Sequence, residues 1–203
     1  MMPRRYRIVG SAPAGGATGA AGFGDSVHQA LEDFGRKEVT DEAWGTFGEA
    51  LSFAPSSDSD LSAVVEAVSR AEADLDAAQR IVYLAVPPSA FIPMIEALGA
   101  SHLATKKTKL VIEKPFGSDL DSARQLNRAL HEVFEESQIF RIDHFLGKEG
   151  VQNILALRFA NGLFEPAWDA QHLDYVQIDV PEQLTIEGRG AFYEPTGARR
   201  HAR

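Results

Sequence analysis

No cysteine occurs anywhere in the 203 residues, which excludes disulfides and thiolate metal sites. No apolar run approaches the roughly 20 residues that a helix needs to cross a bilayer. The opening Met1-Met2-Pro3-Arg4-Arg5 is not followed by the apolar stretch of a signal peptide. Positive charge is in short supply: 20 Lys and Arg face 29 Asp and Glu, a net charge of −9. Non-specific binding to nucleic acid is not expected from that balance. His28, His102, His131, His172 and His201 show no metal-ligand spacing, so no metal site is expected. There is no internal repeat and no heptad pattern. These absences describe a soluble, cytoplasmic chain with neither a nucleic acid nor a membrane as partner.

What is present is ordinary for such a chain: 44% hydrophobic and 24% charged residues. The length suits one domain, or one domain and part of a second. Residues 6–9 read as a strand and 25–34 as a helix. The Gly- and Ala-rich link between them has no G-x-G-x-x-G spacing, so it reads as a surface connection, not a dinucleotide loop. Residues 40–50 suit a short helix capped by Thr40 or Asp41. Residues 51–54 suit a strand, and Asp58 or Ser59 can cap a helix over 61–78.

The run Ile81-Val82-Tyr83-Leu84-Ala85-Val86 is continuous and apolar, as in a buried parallel strand, and Pro87-Pro88 ends it. Helices are expected over 90–103 and, from a Ser118 cap, to about 135. Strands are expected at 109–112 and 138–142. This alternation predicts βαβ units and a parallel sheet. Beyond Lys148 the pattern changes: a helix over 151–158, an aromatic link, then period-two alternation over 175–180 that predicts a half-buried strand. The fold class is α/β, followed by the start of an α+β domain, with the division at 142/143.

Few residues stand out chemically. Lys114 leaves a buried strand just ahead of Pro115-Phe116-Gly117. It reads either as a lysine aimed at a phosphate or cofactor or as a solvated strand-end charge. Asp143 and His144 are adjacent, so in an extended segment they point apart and serve different neighbours. Asp143 suits the orienting of a distant imidazole; His144, with Lys148 nearby, suits an anion. The alternative is a polar loop cap. Glu182 suits sugar hydroxyls or an exposed strand end.

Four stretches occur in an order that resembles the glucose-6-phosphate dehydrogenase family. They are Tyr83-Leu84-Ala85-Val86-Pro87-Pro88, Glu113-Lys114-Pro115-Phe116-Gly117, Arg141-Ile142-Asp143-His144-Phe145-Leu146-Gly147-Lys148-Glu149, and Glu187-Gly188-Arg189-Gly190. The resemblance implies a partial doubly wound, Rossmann-like sheet that binds NADP (residues 1–142). It also implies the start of a C-terminal α+β domain for substrate and dimerisation (143–203). The implied reaction is oxidation of glucose 6-phosphate at C1 to 6-phosphogluconolactone, with hydride transfer to NADP, by a homodimer or homotetramer. It implies that Lys114 contacts cofactor and substrate and that Tyr83 sits by the cofactor. His144 and Lys148 would hold the sugar phosphate, Glu182 a sugar hydroxyl, and Asp143 would stand behind a general-base histidine. Phe145 replaces a tyrosine common in the family. The alternative is another NAD(P)-dependent sugar dehydrogenase with a Glu-Lys-Pro motif, a group that lacks the Asp143-His144-Phe145-Leu146-Gly147-Lys148 stretch.

Three departures accompany the resemblance. The family's first strand and phosphate loop are absent; Pro13 stands where an arginine usually meets the 2′-phosphate of NADP; and Gly197-Ala198 is followed by Arg199-Arg200-His201-Ala202-Arg203 in place of the segment that carries the base. His201 is not that base. A truncated or frameshifted gene is expected, with weak or no activity for this chain alone, or a remnant that only binds a sugar phosphate or a subunit. Unpaired sheet edges would favour aggregation.

Overall fold

A computed structural model of the chain describes residues 5–13, 22–57, 60–73, 75 and 78–179. The strands are β1 (Ile8–Ala12), β2 (Leu51–Pro55), β3 (Arg80–Leu84), β4 (Thr108–Glu113) and β5 (Ile139–Ile142). The helices are α1 (Phe23–Phe34), α2 (Asp41–Gly48), α3 (Ser62–Ala73), α4 (Phe91–Ala100), α5 (Leu120–Val133) and α6 (Glu149–Phe159). The α/β alternation read from the sequence is observed. The strands divide into two sheets, β1-β2 and β3-β4-β5. The β1-β2 and β3-β4 pairs are parallel, with Ile8 opposite Leu51 and Arg80 opposite Thr108.

The chain separates into two compact units, residues 1–112 with 124–140, and residues 113–123 with 141–203. The first unit contains the core. On α4, Phe91, Ile95 and Leu98 are buried, the i, i+4, i+7 spacing of one helix face. On α5, Leu126 and Leu130 are buried, followed by Phe134 just past its end. In β4 every second residue is buried, Thr108, Leu110 and Ile112, as the pleat requires. Thr108 is the one polar side chain in this core among the described residues; its hydroxyl donates to the Leu103 carbonyl at 2.6 Å, which offsets the cost of burying it. The Gln138 amide donates to the carbonyls of Thr105 and Thr108 at 2.8 and 2.7 Å and fixes the entry to β5.

Several boundaries differ from the sequence reading. Thr40 is the cap of α2, its hydroxyl accepting from the Ala43 N–H. Asp58 and Ser59 lie outside the described residues, and Asp60 accepts from the Ser62 N–H at the start of α3. That helix ends at Ala73, not 78. The Leu75 N–H closes a three-residue turn on the Glu72 carbonyl instead of continuing the i to i−4 ladder. The Glu72 carboxylate is bound by the Arg80 guanidinium. β3 stops at Leu84, two residues before the apolar run ends, ahead of Pro87 and Pro88, which supply no N–H to a ladder. At the start of α5, Asp119 caps in place of Ser118, accepting from the Ser122 N–H at 2.8 Å.

The strand expected over 175–180 does not form: residues 175–179 have no regular structure, and Val180 lies outside the described residues. Alternation specifies which face a strand would bury, but a strand also needs a ladder partner, and none of the described residues supplies one. In the second unit α6 leaves Ile154, Leu155, Leu157 and Phe159 exposed.

Candidate functional site

The residues singled out around the nine-residue stretch converge in the second unit. β4 delivers Glu113 and Lys114 at its end, and β5, its neighbour in the sheet, delivers Asp143 and His144. Two segments 29 residues apart therefore leave adjacent strands side by side. Pro115 and Gly117 turn the chain immediately after Lys114. The Lys114–Pro115 bond is cis, and Gly117 has φ +83°. A Cβ on Gly117 would stand 2.5 Å from the Ala123 nitrogen, so glycine is required both for its backbone and for the close approach of α5.

Lys114 donates from Nζ to Asp143 Oδ1 at 2.9 Å. The same carboxylate oxygen accepts from the Phe145 N–H at 3.0 Å and caps the short 3-10 turn His144–Gly147. The Lys114 hydrogen bond is the main reason that the Asp143 carboxyl lies below the ordinary carboxylate range; the Phe145 N–H adds to it. Asp143 therefore stays anionic to lower pH than a free aspartate. His144 has a different neighbour, with Nε2 3.5 Å from Glu113 Oε1. The two neighbours do serve different partners, as their adjacency implies.

Phe145 organises the two lysines. Lys114 Nζ lies 4.9 Å and Lys148 Nζ 4.5 Å from the centre of its ring. Cation–π contacts at exposed sites contribute roughly 0.5–1 kcal/mol each. They hold two ammonium groups near one ring although like charges repel. The turn is tied to α6 by the Gln152 amide, which donates to the Leu146 carbonyl at 2.8 Å. Behind the site, the Arg141 guanidinium lies 5.2 Å from the ring of Phe116. Lys114 and Asp143 keep 45% and 44% of their side-chain surface exposed, so the cluster is open to a ligand from solvent.

The structure thus brings Lys114, Asp143, His144 and Lys148 to one place. Tyr83 lies in β3, in the other unit, half exposed near the carboxyl end of its strand. Glu182 lies outside the described residues. Two residues join the cluster whose place the sequence did not reveal: Glu113 beside His144, and Phe145 beneath both lysines. The Glu-Lys pair at the strand exit was a signal for the first. The aromatic between His144 and Lys148 was a signal for the second. Among the described residues no group of three or more His, Asp or Glu could hold a metal ion. No helix of the described residues is long and apolar enough to cross a membrane.

The arrangement presents two cations and an imidazole on a platform, which suits a phosphorylated or otherwise anionic small molecule. Comparison with known proteins points the same way. Residues 1–153 match the family model "Glucose-6-phosphate dehydrogenase, NAD binding domain", and residues 155–202 match "Glucose-6-phosphate dehydrogenase, C-terminal domain". The matched domain is thus one for a nicotinamide dinucleotide. The chain is 41% identical over 209 residues to glucose-6-phosphate 1-dehydrogenase 2 of Mycobacterium tuberculosis H37Rv, covering 98% of this chain and 40% of that protein. It is 51% identical over 121 residues to glucose-6-phosphate 1-dehydrogenase of Rhizobium meliloti, covering 60% of this chain and 25% of that one. The crystal structure of the Mycobacterium avium enzyme superimposes with a TM-score of 0.77 at 33% identity, over 97% of this chain and 41% of its own. A glucose-6-phosphate dehydrogenase solved with its substrate glucose-6-phosphate gives 0.76 at 30% identity over 97% of this chain. The chain spans about 40% of the length of the relatives that it matches along nearly its whole length. With both domain models matched in order, and the signature residues gathered at the ends of adjacent strands, the chain belongs to the glucose-6-phosphate dehydrogenase family.

Proposed function

We propose that the second unit holds the phosphate of glucose 6-phosphate and that the protein serves oxidation of that sugar at C1 to 6-phosphogluconolactone. The observation that carries this reading is the gathering of Lys114 and Lys148 on the Phe145 ring, with His144 in the same turn. Lys148 and His144 bind the phosphate oxygens, and Lys114 reaches both sugar and cofactor. Fixing the remote phosphate provides binding energy that positions C1. Asp143 holds Lys114 in place and, as a carboxylate that stays ionised, suits the orienting of an imidazole base brought to it. Glu182 takes a sugar hydroxyl.

The cofactor in this reading is NADP, which accepts the hydride when bound. Tyr83, half exposed on β3, stands by the cofactor, and Lys114, at the exit of β4 and paired with Asp143, contacts the cofactor from its 45% exposed side chain. Residues 1–142 form the cofactor part, 143–203 begin the substrate and dimerisation part, and the assembled protein is a homodimer or homotetramer.

Calorimetric titration of the 203-residue chain tests the reading. Glucose 6-phosphate is expected to bind weakly and saturably, glucose not at all, and the His144→Ala/Lys148→Ala double variant is expected to lose the heat. Equal behaviour of the sugar and its phosphate would overturn it.

A further inference from the structure

The imidazole of His144 has a partner that its place in the sequence does not supply. The adjacent carboxylate of Asp143 is already engaged: its Oδ1 accepts from Lys114 Nζ at 2.9 Å and from the Phe145 N–H at 3.0 Å. The His144 ring is approached instead by Glu113, whose Oε1 lies 3.5 Å from Nε2. Glu113 closes β4, in which Thr108, Leu110 and Ile112 are buried and the residues between them half-buried. Its main chain is therefore carried by a packed strand. Its side chain is 35% exposed, against 64% for His144, which sits on the short 3-10 turn His144–Gly147. The strand-borne, less exposed carboxylate is thus the fixed member of the pair, and the ring is the member that it holds.

An imidazole offers two ring nitrogens, and in the neutral form one donates and the other accepts. With Nε2 on the Glu113 carboxylate, Nδ1 is the nitrogen left for a ligand. A phosphate oxygen at Nδ1 gives the ring an acceptor on each side, and only the imidazolium donates at both. A carboxylate behind an imidazole is also how ligand-binding and proton-transferring histidines are oriented in general. We propose that Glu113 is a positioning residue for phosphate recognition: it holds His144 by Nε2 so that Nδ1 meets a phosphate oxygen of the sugar phosphate. This role rests on the proposed binding of that phosphate by His144 and Lys148. Glu113, an anion, does not touch the phosphate itself. Its effect passes through the ring, while Lys114 and Lys148 on the Phe145 ring supply the opposing positive charge. Without Glu113 the exposed ring samples several rotamers and has to be ordered when the ligand binds, which costs affinity.

The test uses the 203-residue chain and two readouts. Side-chain scalar couplings at His144 in the ligand-free chain report its χ1 distribution. One rotamer is expected in the unaltered chain and averaging among rotamers in Glu113→Ala, with the amide protection of Leu110 and Leu130 unchanged. Calorimetric titration with glucose 6-phosphate reads the consequence for binding. Glu113→Ala is expected to weaken it about two- to tenfold, the cost of ordering one side chain. Glu113→Gln, which keeps an oxygen acceptor for Nε2, is expected to recover part of that loss. In a His144→Ala background, Glu113→Ala is expected to have no further effect, because its role passes through the ring. The proposal is overturned if His144 already averages its rotamers in the unaltered chain. It is also overturned if Glu113→Ala weakens binding equally with and without His144, or if it tightens binding, which would make the carboxylate a competitor for the ring. Absence of any glucose 6-phosphate binding by the unaltered chain overturns the phosphate reading instead, and the rotamer readout then decides alone whether Glu113 holds the ring.

Discussion

The two units solve different physical problems. Every buried apolar side chain among the described residues belongs to the first, from Ala50 to Ile139. The second has none among the described residues, and it exposes Ile154, Leu155, Leu157 and Phe159 along α6. Yet the second unit holds Lys114, Asp143, His144 and Lys148, in contacts of 2.9 to 4.9 Å. One region holds the buried packing and the other holds the charged cluster. Within the second unit, Lys114 follows Glu113, the last residue of β4, and Asp143 follows Ile142, the last residue of β5. Rigid elements place the site residues, while solvent keeps the charges inexpensive to hold.

The sharpest way to break this contrast is to remove packing from each side. Leu130, with no exposed surface, is expected to cost about 2–5 kcal/mol as Leu130→Ala. Leu155→Ala, at an exposed position, is expected to change stability by no more than about 0.5 kcal/mol. Urea denaturation measures both. Equal losses would mean that α6 is as much a part of the core as α5.

Next in size is the effect of the cations on ligand. Lys148→Ala is expected to weaken glucose 6-phosphate binding by roughly tenfold or more, with an unchanged melting temperature. A parallel fall in stability would show that the charge cluster is structural. Smaller again is Phe145→Leu, which keeps apolar bulk but removes the ring. A loss of roughly two- to fivefold in affinity is expected from the cation–π contributions, and titration calorimetry would detect it. An unchanged affinity would remove Phe145 from the site.

The smallest effect concerns pH. Asp143 has its pKa lowered, first by the Lys114 hydrogen bond. A depressed carboxylate contributes stability above its unfolded value, near 3.9, and loses it as pH falls through the folded value. The Lys114–Asp143 contact is therefore expected to persist at neutral pH and to open only in acid. An NMR titration of the Asp143 carboxyl should show a low midpoint that rises towards the ordinary value in Lys114→Ala. No movement in that variant would assign the shift to the Phe145 N–H instead.

Much of the first unit could be read from periodicity. The i, i+4, i+7 apolar spacing on α4 and the Ile81–Val86 run are local signals: the helix formed where it was expected, while the strand covers only Arg80–Leu84 and leaves Ile81 and Tyr83 exposed instead of buried. Boundaries were harder to place. A helix end such as Ala73 depends on which carbonyl the next N–H finds, and the sequence carries only propensity. The 175–180 alternation misled because a strand is a property of a pair. At the site, the residue types and their motif were legible, but the partners were not. The ion pair between Lys114 and Asp143 had no local signal. Only the adjacency of β4 and β5 brings residues 29 apart in sequence to 2.9 Å. The split of the strands into two sheets follows from long-range pairing and has no local signal.

The central claim, that the strand-end cluster of the second unit binds a sugar phosphate, is tested most directly by NMR shift mapping with glucose 6-phosphate. Perturbations concentrated at residues 113–116 and 141–149, and absent with glucose, are predicted. Perturbations elsewhere, or none with a folded chain, would contradict it.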